Sequence, residues 1–162
     1  MQILLFIALV LVGMFAVGTF LGATYVPTRK GAARQALRLL DLKPGDTLLD
    51  LGSGSGDVLL EAAKQGIKSV GYEINPALYW FSKLRTKKFK DLIDIKLADF
   101  WHQDWPHADG IYVFLTTRFM SKLDEKIKEE VSGPTTVVSY AYEIPGQMPK
   151  KKTLGLYLYH YR

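Results

Sequence analysis

The chain has 162 residues, of which 48% are hydrophobic and 23% are charged, and its formal net charge is +5. This composition is that of a globular protein and excludes a disordered or fibrous chain. Because the sequence contains no cysteine, disulfide bonds, thiolate metal sites and mechanisms with a thiol nucleophile are excluded as well.

The first predicted element is an apolar segment, since no residue from Ile3 to Val26 is charged. As a helix it would measure roughly 36 Å, enough to cross a hydrocarbon core of about 30 Å. It is longer than the apolar part of a cleaved signal peptide, and no basic side chain precedes it. The sequence therefore predicts an N-terminal transmembrane helix over residues 1–26. The nearest basic residues all follow it, at Arg29, Lys30, Arg34 and Arg38, which predicts a single-pass membrane protein whose domain, residues 27–162, faces the cytoplasm.

Helices and strands alternate through the rest of the chain. A helical period in "GAARQALRLLDL" is followed by strand "TLLDL", helix 57–65, strand "SVGYEI", helix 76–89, strands "IDIKLAD" and "GIYVFL", helix 117–131 and strand "TTVVSYAY". This order predicts an α/β fold with a Rossmann-like, doubly wound, mostly parallel sheet. The connection "EIPGQMPKKK" is too short for a crossover helix, so the last strand, "TLGLYLYHYR", is expected to be antiparallel.

A glycine-rich turn, "LLDLGSGSGDVLLEAAKQG", joins the first strand to the helix after it. Gly52, Gly54 and Gly56 leave the backbone open to a ligand beside the helix N-terminus. A dinucleotide site would need a further glycine at position 57, where Asp57 would instead compete with a phosphate. The turn therefore favours S-adenosylmethionine, whose ammonium group Asp50 is well placed to bind.

Two more acids end the next two strands. Glu73 follows the turn by about 20 residues, where a carboxylate can accept hydrogen bonds from both hydroxyls of a ribose. Asp99 ends the third strand beside Phe100, a position suited to the amino group and the ring of an adenine. Because the carboxyl ends of parallel strands form one crevice, the three acids predict a single cofactor site.

These motifs resemble those of a known family. "YVPT", "DLGSGSG", "GYEINPALYWFS", "LADFWHQDW" and "VVSYAYEIPGQMP" are similar to segments of class I S-adenosylmethionine-dependent methyltransferases, and in particular of the small protein-lysine methyltransferases related to the one that modifies the ATP synthase c-subunit. The resemblance runs from Tyr25 to Arg162. It implies an abbreviated class I methyltransferase, without the helix and the extra strand that complete the usual seven-stranded sheet.

The resemblance also implies S-adenosyl-L-methionine as the cofactor, with "YVPT" closing over it. The residues implied to bind the cofactor are Tyr25, Thr28, Asp50, Gly52, Ser53, Gly54, Gly56, Glu73, Asn75, Asp99 and Phe100. The chain departs from its relatives at Ser55, Gly56 and Asp57, where they commonly carry Asp-Gly-Arg.

The end of the fourth strand, "VFLTT", bears on the methyl acceptor. Methyltransferases of planar nitrogens usually carry an Asn/Asp-Pro-Pro-aromatic motif there, so adenine and glutamine acceptors are disfavoured. Transfer to cytosine C5 needs a cysteine and is excluded. A lysine amine remains, and the residues predicted to form its catalytic channel are Tyr25, Phe114, Tyr140, Tyr142 and Glu143. His102 and His107 are interpreted as loop residues, and no metal site is predicted.

The favoured interpretation is a membrane-anchored methyltransferase that acts on lysine in a protein substrate. Two alternatives stay open. One is a methyltransferase of small-molecule or lipid amines. The other is a non-catalytic cofactor-binding or nucleic-acid-binding module that uses the basic run "KLRTKKFK", although a nucleic-acid partner is not expected.

Overall fold

The computed structural model describes residues 5, 13, 28 and 30–162. Apart from two isolated positions, the transmembrane helix predicted over residues 1–26 lies outside the described residues. Within the part that is described, no helix is both long enough and apolar enough to cross a membrane.

The described chain alternates between helices and strands, as the sequence predicts. Its α-helices are α1 (Lys30–Leu40), α2 (Asp57–Ala63), α3 (Pro76–Thr86) and α4 (Met120–Glu130). Its strands are β1 (Thr47–Leu51), β2 (Lys68–Glu73), β3 (Ile93–Leu97), β4 (Gly110–Val113), β5 (Thr135–Tyr140), β6 (Lys151–Thr153) and β7 (Leu156–Tyr161). Short 3₁₀-helices cover Lys87–Phe89, Phe100–His102 and Thr117–Phe119.

The strands form one sheet in the order β3-β2-β1-β4-β5-β7-β6. Strands β1 to β5 are parallel, whereas β7 runs antiparallel to β5 and to β6. This confirms the predicted Rossmann-like, mostly parallel sheet and its antiparallel last strand. The strand order reverses between β1 and β4, which opens a crevice at the carboxyl ends of these strands.

The expected loss of a strand is wrong, because the sheet has seven strands. Lys151–Thr153, predicted to lie in a connection and at the start of the last strand, forms the short edge strand β6. Leu154 and Gly155 both have positive φ angles, 48° and 75°, and make the tight turn of a β6–β7 hairpin. A lysine-rich edge strand also resists pairing with another chain. The sequence analysis also expected no helix between β5 and this hairpin. Residues 141–150, which make that connection, form no helix.

The core follows from the alternation of side chains along the strands. Leu49 and Leu51 of β1 pack with Leu123 of α4 on one face of the sheet. Leu48 packs with Leu37 of α1 on the other face. This two-sided burial holds the carboxyl ends of the central strands, and therefore the crevice, in a fixed position.

Gly71 in β2 marks the closest approach between the sheet and the glycine turn. A Cβ atom there would lie 2.8 Å from Leu59 Cδ1 and 2.9 Å from Ser53 Cβ. We expect Gly71→Ala to lower the free energy of unfolding by about 1–3 kcal/mol, because the added methyl overpacks this contact. Equilibrium urea unfolding measures the change. Gly133→Ala is the matched control, since a Cβ at Gly133 meets nothing within 4 Å, and equal stability of the two variants would contradict the prediction.

Candidate functional site

The glycine turn after β1 has a backbone that few residues other than glycine adopt. Gly52, Gly54 and Gly56 have φ angles of 92°, 52° and 75°, in the region that side chains disfavour. The backbone N–H groups of Gly52 and Ser53 both donate to the carbonyl of Tyr72, at 3.0 and 2.8 Å. The turn is therefore fixed against the end of β2.

Glu73 links this turn to the start of α3. Its Oε2 accepts a hydrogen bond from the Gly54 N–H and its Oε1 accepts one from the Asn75 N–H, each at 2.7 Å. Burial raises the pKa of the Glu73 carboxyl, although these backbone hydrogen bonds oppose the change. Each carboxylate oxygen has a second lone pair, so Glu73 can hold the turn and still accept from a ligand.

Asn75 has a structural role that the sequence resemblance did not indicate. Its Oδ1 caps α3 by accepting from the N–H groups of Ala77 and Leu78, at 2.9 and 3.3 Å. The following proline fits the first turn of that helix. Asn75 therefore fixes the direction of α3 relative to the glycine turn.

Asp50 lies at the end of β1 and is 2% exposed. Burial raises the pKa of its carboxyl to about 8, and the nearby charges of Glu73 and Asp57 contribute to this rise. A buried acid beside two others favours binding of a cationic group, which supplies the missing counter-charge.

These acids line a cavity of about 540 Å³. The residues predicted to bind the cofactor that line it are Thr28, Asp50, Gly52, Ser53, Gly54, Glu73, Asn75, Asp99 and Phe100. Gly56 is not among the lining residues. A Cβ atom at Gly56 would lie 3.3 Å from Thr86 Cγ2, so Gly56 lets α3 approach the turn. Tyr25 lies outside the described residues.

Two hydroxyl groups in the cavity wall fit a polar ligand. Ser53 Oγ and Thr116 Oγ1 are buried, and neither has a hydrogen-bond partner among the described residues. An unpaired buried polar group costs about 1–3 kcal/mol, and a ligand in the cavity would supply the missing partner for both hydroxyls. With the acids and Phe100, they fit the ammonium, ribose and flat ring of S-adenosylmethionine.

Aromatic side chains also line the cavity. The rings of Trp101 and Phe100 are 4.6 Å apart, and Phe119 is 6.1 Å from Trp101. The Nζ atom of Lys122 lies 4.5 Å from the centre of the Trp101 ring. Trp101 therefore belongs to the cavity wall.

Asp99 is held in place at the cavity edge by its own loop. Its Oδ1 accepts from the Trp101 N–H at 3.1 Å, and its Oδ2 lies 3.0 Å from His102 Nδ1.

The other histidine of this segment, His107, lies 3.7 Å from Asp109. Within the described residues, no group of three or more histidine, aspartate or glutamate side chains is arranged to hold a metal ion.

The residues predicted for the acceptor channel are only partly brought together. Phe114 and Tyr142 line the cavity, and Tyr140 packs against Phe114 with ring centres 4.7 Å apart. Glu143 lies elsewhere, exposed and paired with Lys152 at 2.9 Å. The chain turns at Ala141, whose φ is 70°, so a position read as the end of a strand lies in a loop.

Tyr112 is a site residue that the sequence analysis missed. Its hydroxyl lies 3.1 Å from Thr28 Oγ1, and both residues line the cavity. Burial raises the pKa of the Tyr112 hydroxyl, which keeps it protonated and able to donate. The available signal was a tyrosine within the otherwise non-aromatic strand "GIYV".

Arg85 of α3 connects to the end of the glycine turn. Its Nη2 donates to Asp57 Oδ1 at 2.6 Å and its Nη1 donates to the Ser55 carbonyl at 2.9 Å. Burial alone would raise the pKa of Asp57, but the hydrogen bonds from Arg85 and Ser55 hold it below its usual value. The segment that departs from Asp-Gly-Arg is thus stabilised by a cation from another helix.

We expect Arg85→Gln to lower the free energy of unfolding by about 1.5–3 kcal/mol, the range for hydrogen bonds to charged groups. Because the pKa of Asp57 is lower in the folded protein than its usual value of 3.8, the ionised carboxylate stabilises the fold at pH values above 3.8. This stabilisation is lost as the pH falls below 3.8 and through the lower pKa of the folded protein. The difference from the wild type should therefore shrink at acid pH. Urea unfolding at pH 7 and at about pH 3 tests this, with Lys88→Gln, an exposed change near the end of α3, as control.

Known proteins resemble this chain in sequence and in structure. A family model described as the ANTKMT methyltransferase domain matches residues 50–151. A protein-lysine N-methyltransferase from Saccharolobus islandicus is 31% identical over 131 residues, which are 78% of this chain and 81% of that protein. A lysine N-methyltransferase of the ATP synthase c-subunit, from Xenopus laevis, is 28% identical over 127 residues, or 77% of this chain. The chain spans only 56% of that relative's length.

Among solved structures, an RNA methyltransferase from Salinibacter ruber in complex with S-adenosyl-L-homocysteine has a TM-score of 0.77 and 29% identity. The match covers 84% of this chain and 92% of the Salinibacter chain. The family model begins at Asp50, so it takes in the glycine turn and the acids that end β2 and β3. The resemblance inferred from the sequence motifs is confirmed, and the chain belongs to the family of the ANTKMT methyltransferase domain.

Proposed function

We propose that this protein is an S-adenosylmethionine-dependent methyltransferase that methylates lysine side chains of a protein. The observation that carries the proposal is the cavity whose lining combines acids with aromatic side chains. The relative from Saccharolobus islandicus, matched over 81% of its length and named a protein-lysine N-methyltransferase, supports the choice of acceptor.

The acidic residues that line the cavity suit the cofactor. Asp50 would bind the ammonium group, Glu73 the ribose hydroxyls, and Asp99 with Phe100 the adenine. Bound S-adenosylmethionine supplies a methyl group on a positively charged sulfur. The protein's part is to hold that methyl in line with the incoming nitrogen, which accounts for much of the catalysis of such a displacement.

The aromatic residues that line the cavity suit a lysine side chain. A lysine amine has an ordinary pKa of about 10.4 and must lose a proton before it can attack. Phe114, Phe119 and Trp101 remove water from the chain that enters, which lowers the pKa of its ammonium group. The positive charge of Lys122, beside Trp101, acts in the same direction. No covalent step by the protein is required.

RNA is a second candidate substrate, because the Salinibacter ruber relative is described as an RNA methyltransferase. The basic run "KLRTKKFK", which spans the end of α3, would suit its phosphates. Against it, Leu115 and Thr116 line the cavity where enzymes acting on planar nitrogens carry an Asn/Asp-Pro-Pro motif. A small-molecule or lipid amine would accept a methyl group by the same chemistry as lysine. The experiment below distinguishes these substrate classes.

The full chain, in mild detergent, is incubated with radiolabelled S-adenosylmethionine and a membrane extract, and the products are resolved as protein, RNA and lipid. We expect alkali-stable label on a protein band, and we expect Asp50→Ala to abolish it. Label in RNA or in lipid would assign the enzyme to another substrate class. Cofactor binding without transfer to any fraction would contradict an enzymatic function.

Membrane anchoring through residues 1–26, with the domain facing the cytoplasm, remains part of this proposal. It rests on the uncharged segment from Ile3 to Val26 and on the basic residues after it. Extraction of membranes at high pH tests it, because a spanning segment stays in the pellet whereas a peripheral protein is released.

A further inference from the structure

The outward face of α3 is apolar, which is unusual for a helix on the surface of a domain. Trp80, Phe81 and Leu84 are 65%, 54% and 66% exposed, and their spacing places them on one side of the helix. The fully buried residues of α3 are instead the small polar Ser82 and Thr86. The usual arrangement, with the large apolar side chains facing the core, is inverted here.

Basic residues surround this apolar face. Lys87, Lys88 and Lys90 follow it and are exposed or partly exposed, and Lys83 lies within the helix. From Pro76 to Lys90 the sequence contains no acidic residue. The surface made by Trp80, Phe81, Leu84, Lys87 and Lys88, named here the α3 face, therefore combines aromatic and aliphatic side chains with positive charge.

We propose that the α3 face docks onto an anionic lipid surface. Tryptophan favours the boundary between headgroups and acyl chains, and basic side chains are attracted to anionic lipids. A helix with both features is typical of interfacial binding. Leu84, between the aromatic residues and the lysines, adds exposed aliphatic surface that acyl chains can bury and that a nucleic acid does not match, so the face suits lipid better than RNA.

The position of the apolar N-terminal segment agrees with this partner. Ile3 to Val26 is long enough to cross a bilayer and ends only four residues before Lys30, where α1 begins. A domain attached so closely would be held at the lipid surface, where docking needs only a rotation. A second copy of the chain is a poorer partner, because it would bring two sets of lysines together.

Docking would also orient the candidate active site. Asn75, which caps α3, and Leu78, in its first turn, both line the cavity. Trp80 is five residues from the cap, or about 8 Å along the helix axis. A docked α3 therefore places the cavity close to the headgroups, within reach of a lysine near the membrane surface.

The test uses fluorescent labels, which the cysteine-free sequence permits without removing native thiols. Leu84→Cys carries an environment-sensitive label on the α3 face, and Glu125→Cys carries the same label on exposed α4, across the sheet. The full chain is reconstituted into vesicles of phosphatidylcholine, with or without phosphatidylserine, that contain a lipid-borne quencher. We expect several-fold stronger quenching at position 84 in the anionic vesicles, and no difference between the vesicles at position 125.

Each lysine near an anionic surface favours the docked domain by about fivefold. The double variant Lys87→Gln, Lys88→Gln should therefore lower the ratio of docked to undocked domain by about 25-fold. Three outcomes would overturn the proposal. In the first, the label at position 84 is quenched equally in both kinds of vesicle. In the second, the protein itself already shields the label in detergent. In the third, added RNA shields the label and anionic vesicles do not. No step measures methyl transfer, so the result is independent of the proposed enzyme activity.

Discussion

Asp50→Asn is expected to abolish cofactor binding and, at the same time, to stabilise the fold. The carboxyl is buried and its pKa is raised to about 8 by burial and by the charges of Glu73 and Asp57. Without its charge, the ligand's ammonium group would be buried unpaired. We expect a loss of roughly 100-fold or more in affinity, which is the order of magnitude for breaking a buried pair. Calorimetric titration with S-adenosylhomocysteine measures it.

The stability gain follows from the direction of the pKa change. Because the folded state holds its proton up to about pH 8, whereas the usual pKa is 3.8, ionisation of Asp50 destabilises the fold progressively between these values. At pH 7 the cost is roughly 4 kcal/mol, at about 1.4 kcal/mol per pKa unit. Asn carries no charge, so a large part of this cost disappears and the melting temperature should rise.

Asp94→Asn is the control for this variant, since Asp94 is exposed on β3. It should change neither binding nor melting temperature. In the wild type, affinity for the cofactor should increase as the pH rises to about 8, because binding requires the ionised form of Asp50. An Asp50→Asn protein that binds like the wild type, or that melts at a lower temperature, would refute this account of the site.

Glu73→Ala is expected to abolish cofactor binding and, in contrast, to destabilise the fold. The substitution removes the acceptor of two buried backbone N–H groups, those of Gly54 and Asn75. At about 1–3 kcal/mol for each unpaired group, the free energy of unfolding should fall by about 2–6 kcal/mol. Urea unfolding and the same calorimetric titration measure the two effects.

Two further variants separate the roles of Glu73. Glu73→Gln retains one acceptor oxygen and should be intermediate in stability. Glu129→Ala, an exposed change on α4, should be neutral. If Glu73→Ala is as stable as Glu129→Ala, the carboxylate does not hold the glycine turn. Opposite stability effects at Asp50 and Glu73 would show that one acid serves the ligand alone and the other also serves the fold.

The parts of the site that sequence analysis could predict are those with a strong local signal. Gly52 and Gly54 follow an apolar strand, and each of the acids Asp50, Glu73 and Asp99 lies at or just beyond the end of a strand. Such patterns follow from local backbone preference and from the fixed direction of a parallel sheet, so they place these residues in one crevice. The structure finds all of them in the cavity wall.

Sequence analysis was weakest where placement depends on tertiary structure. Tyr112 packs in a core cluster with α1 and Trp101 lies in the loop after β3, and only the folded structure shows that both reach the cavity. Glu143 does not line the cavity, and the turn at Ala141 that precedes it has a positive φ without a glycine or proline to mark it in the sequence. The strand β6 was missed because three residues are too few to show alternation.

The hydrogen bonds that Glu73 and Tyr72 make to the glycine turn also bear on the thermodynamics of binding. The conformational entropy lost in ordering the turn is lost during folding, since these bonds are made within the protein itself. A ligand that meets a turn already in shape binds without a coupled folding step. The heat-capacity change on cofactor binding should therefore match the apolar area that the cavity buries, with no added contribution from an ordering loop.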